Sequence, residues 1–366
     1  MKKMRVSVLG GGNGAHACAA DLALADFDVT LWEFPQFRER IAAVLDRGGI
    51  ELKGLKRHGF ASFKATTDIK EALEDASVIL ISIPAFGHKA IAEICAPYLK
   101  SGQRVLLCPG TAGTLEFAHV LKAKNSGEGV VLGETATLPY ACRLSGPGLV
   151  EIKGISSWVL TAAFPGRDTL EFIDFLTPLF QSLIPATNVL ETALNNGNLI
   201  AHPAATLLNT GRIELSKGEF YLFQEGFTPS VGKVVQAVEN ERLELCRLLG
   251  YRRIPSEERI LKIGYHTQKL STLAEVYRTS PILRSKGPAN LQHRYVTEDV
   301  QYGLVLLSSL GEMLSIRTPT IDSIIHLCSI INEKDYRKEG RTLKSLGING
   351  MGVDDLNYFL QFGARR

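Results

Sequence analysis

The sequence lacks the features that mark membrane, secreted and nucleic-acid-binding proteins. No run approaches the ~18 consecutive apolar residues of a spanning helix, and only four residues separate Arg5 from the first glycine, too few for the apolar segment of a signal peptide. The six cysteines form no CxxC pair, which disfavours a disulfide framework or a metal site. The net charge of +3 is small and its basic residues are scattered. We therefore expect a cytoplasmic protein without metal, membrane or nucleic-acid partners.

Glycines follow the first apolar strand of the chain and open a helix of small residues. Gly10, Gly12 and Ala15 have Gly-x-Gly-x-x-Ala spacing, in which the first glycine permits a tight turn, the second lets a pyrophosphate approach the helix end, and the alanine allows close helix packing. Glu33 ends the next strand, at the ~20-residue distance where an acid holds the ribose 2′-OH. This pattern predicts a dinucleotide site formed by Gly10, Gly12, Asn13, Gly14, Ala15 and Glu33.

A second loop and the charges around Glu33 refine the cofactor prediction. The apolar run Ser77–Ile83 ends at Pro84, and ligands bind at the carboxyl ends of such strands. We therefore add Pro84 to the cofactor site. Glu33 favours NAD because a carboxylate repels a 2′-phosphate, but Arg38 and Arg40 follow closely and leave NADP open.

The pattern of apolar residues changes at about Thr192. Before it, apolar strands alternate with amphipathic helices, as in a parallel α/β sheet. After it, strand-like runs vanish and helical periodicity continues to the end. At 366 residues the chain is long enough for two cores. We predict an α/β Rossmann-type N-terminal domain with a mostly parallel sheet over 1–188, followed by an all-α C-terminal domain over 189–366 whose apolar stripes permit a homodimer.

The second domain carries two groups of residues suited to catalysis. His202 precedes Pro203, a residue that suits the first position of a helix, so we expect His202 near a helix N-cap. Further on, Arg294 lies five residues before Asp299. An arginine can bind a carboxylate through two hydrogen bonds, and an aspartate can orient a histidine and stabilise its protonated form. We expect His202 to hold a proton near neutral pH, as a general acid must; a capping histidine and a solvated charged loop are the alternatives.

Two polar stretches are candidates for substrate binding. Tyr140 and Cys142 follow the strand that ends at Glu134, where either a nicotinamide-facing wall or a structural loop with a buried polar network would fit. Asn198 belongs to the amide-rich run just before His202. We include all three as candidate substrate contacts, but Cys142 has no adjacent histidine and is not expected to be a nucleophile.

The chain resembles the opine dehydrogenases, which include octopine, nopaline and N-(1-carboxyethyl)-amino-acid dehydrogenases. The matching stretches run in the family's order through most of the chain: 10–16, 84–88, 134–143, 198–203, 225–231, 294–299 and 335–343. The resemblance implies NAD(P)H-dependent condensation of an amino acid's amine with a 2-oxo acid, commonly pyruvate. It also implies that His202 is the catalytic histidine, Asp299 its acid partner and Arg294 an arginine at the substrate carboxylate.

Two other functions fit the same cofactor site. A 2-oxo acid or ketopantoate-type reductase would reduce C=O, but such relatives usually have a lysine in the junction helix, and residues 192–210 contain none. A dinucleotide-binding protein without turnover would not require a histidine and an acid facing the nicotinamide. Neither alternative explains the His202 and Arg294–Asp299 groups as well as an opine dehydrogenase does.

Overall fold

A computed structural model describes residues 3–55 and 57–366. The chain divides into two compact units between Thr192 and Ala193. This division lies four residues after the predicted domain boundary at residue 188. Met1 and Lys2, which precede the segment considered above as a signal peptide, lie outside the described residues. Within the described ranges, no helix is long and apolar enough to cross a membrane.

The first unit contains two sheets and the helices that pack on them. Its strands are β1 (Arg5–Leu9), β2 (Asp28–Trp32), β3 (Gly49–Gly54), β4 (Gly59–Ser62), β5 (Lys64–Thr66), β6 (Val78–Ile81), β7 (Arg104–Leu107), β8 (Val131–Thr135), β9 (Tyr140–Gly146), β10 (Leu149–Ile155), β11 (Val159–Phe164) and β12 (Leu183–Pro185). Its helices are α1 (Asn13–Leu24), α2 (Ala42–Arg47), α3 (Ile69–Leu73), α4 (His88–Cys95), α5 (Gly113–Ala123) and α6 (Thr169–Leu176), and α7 (Val189–Leu194) runs across the division. Short 3₁₀ helices cover Pro35–Ile41, Ala85–Gly87 and Gly166–Asp168.

The larger sheet has the strand order β12-β11-β8-β7-β6-β1-β2-β5, and pairing is parallel except between β8 and β11. Every residue of β6 is buried, as expected of a parallel strand covered on both faces. The strand order reverses at β1, which has β2 on one side and β6 on the other. Ligands bind at the carboxyl ends of the strands at such a reversal, so the fold favours the loops after β1 and β6.

Helix α1 is packed between the two sheets. It contacts β1 and β2 of the larger sheet and β3, β4, β9 and β10 of the smaller one, whose order is β4-β3-β10-β9. Residues 14–22 of this helix are all buried, and its alanines permit the close approach of strands on both sides. No sequence pattern predicted the smaller sheet. Tyr140 and Cys142, for which a structural loop was one of two alternatives, lie on strand β9.

The second unit is helical. Its helices are α8 (Asn198–Leu208), α9 (Thr210–Ser216), α10 (Pro229–Leu249), α11 (Ser256–Lys262), α12 (Leu273–Thr279), α13 (Arg294–Thr297), α14 (Val305–Met313), α15 (Pro319–Ile331), α16 (Tyr336–Glu339) and α17 (Val353–Phe362), with π-helical turns at Leu222–Gly226 and Asp299–Leu304. The bounds of α10 follow from local chemistry: the Thr228 hydroxyl accepts from Val231 N, Pro229 occupies the first turn, and Gly250 ends the helix at φ +75°. The predicted order of an α/β domain and an all-α domain is confirmed.

Candidate active site

The glycine loop after β1 has the geometry of a phosphate site. Gly10 has φ +126°, and a Cβ there would lie 2.5 Å from the Ser82 carbonyl oxygen, so only glycine fits. At Gly12 a Cβ would meet nothing within 4 Å. Gly12 is also the N-cap of α1, which has no side-chain cap among the described residues and no acid in its first turn. An open, uncapped helix end with positive potential suits a pyrophosphate.

The remaining predicted cofactor residues lie in the first turn of α1 and in the segment after β6. At Gly14 a Cβ would lie 2.7 Å from the Ser82 hydroxyl oxygen, and Ala15 is buried beside it. The Asn13 side-chain oxygen accepts from Leu144 N at 2.8 Å, which ties α1 to β9. Pro84 caps the short 3₁₀ helix after β6. Ser82, which the sequence analysis did not single out, therefore contacts two of the glycine positions.

Glu33 supports the glycine loop from the end of β2. Its carboxylate accepts from Gly11 N and from Phe34 N, both at 2.8 Å, and Arg40 Nη1 lies 3.7 Å from it. Burial raises the pKa of Glu33, while these amide donors and Arg40 lower it. A Cβ on Gly11 would lie 2.6 Å from the carboxylate. Glu33 thus lies next to the loop and fixes its conformation, while its contact with a ribose 2′-OH stays a prediction.

Tyr140 and Cys142 lie in the packed interior of the first unit. The Tyr140 hydroxyl donates to the buried Asp21 of α1 at 2.5 Å, and Arg57 Nη1 lies 2.6 Å from the same carboxylate. Burial raises the pKa of the Cys142 thiol to about 11, so the thiol stays protonated at neutral pH. These contacts join α1 to the smaller sheet, and substrate binding by Tyr140 and Cys142 stays a prediction that this placement does not support.

Glu134 forms the buried polar network that the sequence analysis offered as an alternative for this region. Its carboxylate accepts from Ala112 N at 2.9 Å, from Thr114 N at 3.1 Å and from the Thr192 hydroxyl at 2.8 Å. Burial raises the pKa of Glu134, and these donors oppose the rise. The carboxylate thus holds the first turn of α5 and the last residue of the first unit.

In the second unit, His202 and Asp299 form a buried pair. The Nδ1 atom of His202 lies 2.7 Å from Asp299 Oδ2, and the two residues are 6% and 2% exposed. His202 is the fifth residue of α8, which begins at Asn198 and includes Pro203 in its interior. The expectation that His202 lies near a helix N-cap, just before the first helical position, was therefore wrong: the helix begins four residues earlier, at Asn198, the last residue of the amide-rich run.

Asp299 begins a π-helical turn directly after α13. Burial raises its pKa to about 7, and the positive charge of Arg294 opposes the rise. Because Asp299 Oδ2 and His202 Nδ1 are only 2.7 Å apart, their protons belong to the pair rather than to either residue. Such a pair can give or take one proton at physiological pH, as general acid–base catalysis requires.

Arg294 lies at the start of α13, in the same segment as Asp299. Its Nη1 atom is 3.3 Å from Glu298 Oε2, and its side chain is 40% exposed, which leaves surface for a ligand. Burial lowers the pKa of Arg294, but the acidic groups of Glu298 and Asp299 outweigh this effect and raise it. The guanidinium therefore stays charged and is suited to a carboxylate.

Aromatic rings that the sequence analysis missed surround His202. The ring of Tyr295 is stacked on the imidazole with centroids 3.7 Å apart and planes 23° apart, and Phe223 is tilted against it at 6.1 Å. Neither ring was a predicted site residue. Tyr295 is adjacent to Arg294 in the chain, and that adjacency was the one signal that could have drawn attention to it.

A buried arginine holds the segment that leads into α8. Arg259 donates to the Asn195 carbonyl oxygen at 3.2 Å and to the Ser256 hydroxyl at 2.9 Å. A Cβ on Gly197 would lie 1.8 Å from Arg259 Nη1, so the guanidinium packs directly on this glycine. Asn198, a predicted substrate contact, is the first residue of α8 and donates its main-chain N–H to Asn196 Oδ1 at 3.1 Å.

Comparison with known proteins connects both units to one family. Residues 185–332 match the model of the NAD/NADP octopine/nopaline dehydrogenase alpha-helical domain, and residues 5–122 match that of the NAD-dependent glycerol-3-phosphate dehydrogenase N-terminus. An opine dehydrogenase of Arthrobacter sp. (strain 1C) is 38% identical over 348 residues, which cover 94% of this chain and 95% of that one. The chain belongs to the opine dehydrogenase family. It is an NAD(P)-dependent oxidoreductase that acts on CH–NH groups by reductive condensation, as the sequence predicts.

Solved structures of octopine dehydrogenase have the same fold as this chain. The complex with NADH and L-arginine superposes with a TM-score of 0.77 at 20% identity and covers 100% of this chain and 99% of that one. The complex with NADH and pyruvate gives a TM-score of 0.74 at the same identity and coverage. This likeness extends over both units and confirms the fold predicted for an opine dehydrogenase.

Proposed function

We propose that this opine dehydrogenase joins the amine of an amino acid to pyruvate or a similar 2-oxo acid, with His202, Asp299 and Arg294 as its catalytic and binding residues. The observation that carries the proposal is the buried His202–Asp299 pair, with 2.7 Å between Nδ1 and Oδ2. Asp299 belongs to the same segment as Arg294. The octopine dehydrogenase complexes with L-arginine and with pyruvate support the two substrate classes. When bound over the glycine loop, the dinucleotide supplies the hydride.

The residues of the second unit account for the proton transfers. Attack of the amine on the 2-oxo acid gives a carbinolamine, and its hydroxyl must gain a proton to leave as water. His202 supplies this proton through Nε2, because Nδ1 is engaged by Asp299. Asp299 holds the ring orientation and stabilises the imidazolium. Arg294 binds the carboxylate of the oxo acid and thereby holds its reacting carbon in place. Attack by the bound amine is then effectively a unimolecular step.

The reaction can be tested by NADH oxidation under three conditions. We expect oxidation when pyruvate and a panel of amino acids are present together, and background rates with pyruvate alone or with neither. Turnover with pyruvate alone would replace the proposal with a C=O reductase of ketopantoate type. Binding of NADH without turnover across the panel would indicate a dinucleotide-binding protein. NADPH in place of NADH tests the cofactor preference in the same assay.

The role of His202 has its own test. His202→Asn should lower kcat by about 10²–10⁴-fold, the contribution of general acid–base catalysis, while NADH binding measured by fluorescence stays unchanged. His326→Asn is a matched control, since His326 is exposed on α15 and its replacement should leave kcat within about twofold. Near-normal turnover of the His202 variant would remove it from the mechanism. The cytoplasmic location and a homodimer stay predictions, to be checked by fractionation and size-exclusion chromatography.

A further inference from the structure

We infer that Tyr295 is a positioning residue that fixes the plane of the His202 imidazole and favours its protonated form. The inference rests on the proposed role of His202 and adds a residue to which no catalytic part has been assigned. It starts from the stacking geometry: the two ring centroids are 3.7 Å apart and the planes are only 23° from parallel. A cation over the face of an aromatic ring is attracted by the negative potential of that face.

Asp299 alone does not define the orientation of the imidazole. A single contact between Nδ1 and Oδ2, 2.7 Å long, restrains the ring at one edge but leaves some rotation about the Cα–Cβ and Cβ–Cγ bonds of His202. A flat ring against the imidazole face prevents this rotation. Contact at Nδ1 and stacking on the face are therefore complementary, and together they determine where Nε2 points.

Tyr295 is itself held rigidly enough to serve as a platform. It is 5% exposed on α13, which packs against α8. Its main-chain N–H donates to His293 Nδ1 at 3.3 Å, and the His293 ring meets the tyrosine ring nearly edge-on, with centroids 4.4 Å apart. The Arg294 guanidinium carbon lies 5.5 Å from the tyrosine centroid. The segment that binds the substrate carboxylate in our proposal thus also carries the platform for the histidine.

Several other charged groups on α8's neighbours are engaged in ion pairs, and the Arg259 guanidinium packs on Gly197, just before α8. Asp299 contacts the ring directly, and Arg294 and Glu298 pair with each other one turn away. The remaining elements packed against α8 have ion pairs of their own: Glu239 with Arg242 on α10, Arg212 of α9 with Glu225 of the first π-helical turn, and Asp322 of α15 with Arg337. The carboxylate of Asp299 and the ring face of Tyr295 are thus the two contacts from which we derive the stability of the imidazolium.

Ring replacement separates the two parts of this role. Tyr295→Phe keeps the aromatic face and should behave like the parent enzyme within about twofold. Tyr295→Leu removes the face and should lower the titration midpoint of the His202 ring by roughly 0.5–1 pH unit. The alkaline limb of the kcat profile for condensation should move down by the same amount, because the acid form of His202 is then lost at lower pH. We expect kcat to fall about tenfold with KM for the oxo acid within about threefold.

The experiment combines NMR with kinetics so that this inference and the proposed function fail separately. The His202 ring resonance, assigned by its loss in His202→Asn, is titrated in the cofactor-free protein, which requires no turnover. Tyr295→Met, an unbranched filler, replaces the leucine variant if that variant fails to fold, and Phe223→Leu tests a ring that is farther away, at 6.1 Å. A lower midpoint in a folded non-aromatic variant, Tyr295→Leu or its replacement Tyr295→Met, supports the inference. A parental midpoint in a folded Tyr295→Leu or Tyr295→Met protein overturns it, whatever the activity assay gives.

Discussion

Replacing Asp299 with asparagine removes a charge from the His202–Asp299 pair with little change in side-chain volume. In the wild-type protein, His202 Nδ1 lies 2.7 Å from Asp299 Oδ2. An asparagine at position 299 still reaches Nδ1 but offers no negative charge to an imidazolium. A contacting carboxylate favours a neighbouring cation by about 1–3 pK units, each worth about 1.36 kcal/mol. We therefore expect kcat for condensation at pH 7 to fall by about 10–10³-fold, while KM for NADH is unchanged.

Although Asp299→Asn should lower kcat, it should raise the stability of the folded protein above about pH 4. The folded-state pKa of Asp299 is about 7, against an ordinary value of 3.8, so the unfolded chain loses this proton first as the pH rises. Between about pH 4 and pH 7 the wild-type protein therefore loses stability as the pH rises. An asparagine side chain does not titrate, so the Asp299→Asn variant lacks this loss.

The two effects can be measured on the same samples. Thermal unfolding at pH 5 and pH 8.5 should show a Tm difference, variant minus wild type, that is several degrees more positive at the higher pH. The kcat of Asp299→Asn should lie below that of the wild-type enzyme at every pH between 5 and 8.5. Asp322→Asn is the control: Asp322 is partly exposed and pairs with Arg337, and its loss should leave kcat within about twofold. Wild-type kcat in Asp299→Asn, or a Tm difference that does not change with pH, would refute the reasoning.

Three further predictions concern the cofactor loop and the packing of the second unit. Glu33→Gln removes the charge that accepts from Gly11 N, and the ratio of Kd values for NADPH and NADH should fall by about tenfold; an unchanged ratio would contradict a role for this charge. Gly211→Ala should raise the free energy of unfolding by roughly 0.5–1 kcal/mol, because a Cβ there meets nothing within 4 Å in helix α9; urea titration measures this, and a loss of stability would count against the helix. Glu239→Gln should cost about 3–5 kcal/mol, since it leaves the buried Arg242 guanidinium without its carboxylate partner, and urea titration showing less than 1 kcal/mol would argue against that pair.

Local patterns were sufficient to predict the tight glycine turn after β1 and the order of the domains. A phosphate loop depends on residues close in sequence: Gly10 and Gly12 meet the requirements of backbone angle and open space within one turn. The switch from strand to helix periodicity near Thr192 is likewise a local property. Helix α10, Pro229–Leu249, is the longest of the helices given above and shows this periodicity through its length.

The features that sequence reasoning missed depend on contacts between distant segments. The smaller sheet pairs β3 in parallel with β10, about a hundred residues later, and neither strand shows in its own sequence which partner it takes. The placement of His202 was wrong because Pro203 suggested a helix start, whereas the structure includes this proline in α8. Proline is normally disfavoured there because it removes an N–H donor. The stacking of Tyr295 on His202 joins positions that are 93 residues apart in the chain.

The position of His202 in α8 limits how the segment before it can change in length. Gly197 is packed under the Arg259 guanidinium, and His202 follows in the first turns of the same helix. Each residue advances an α-helix by about 100° around its axis. Insertion or deletion of one residue between Gly197 and His202 would therefore turn the imidazole away from both Asp299 and Tyr295, although every side chain of the site remained in the sequence. We expect length variation among related enzymes to be found outside this interval.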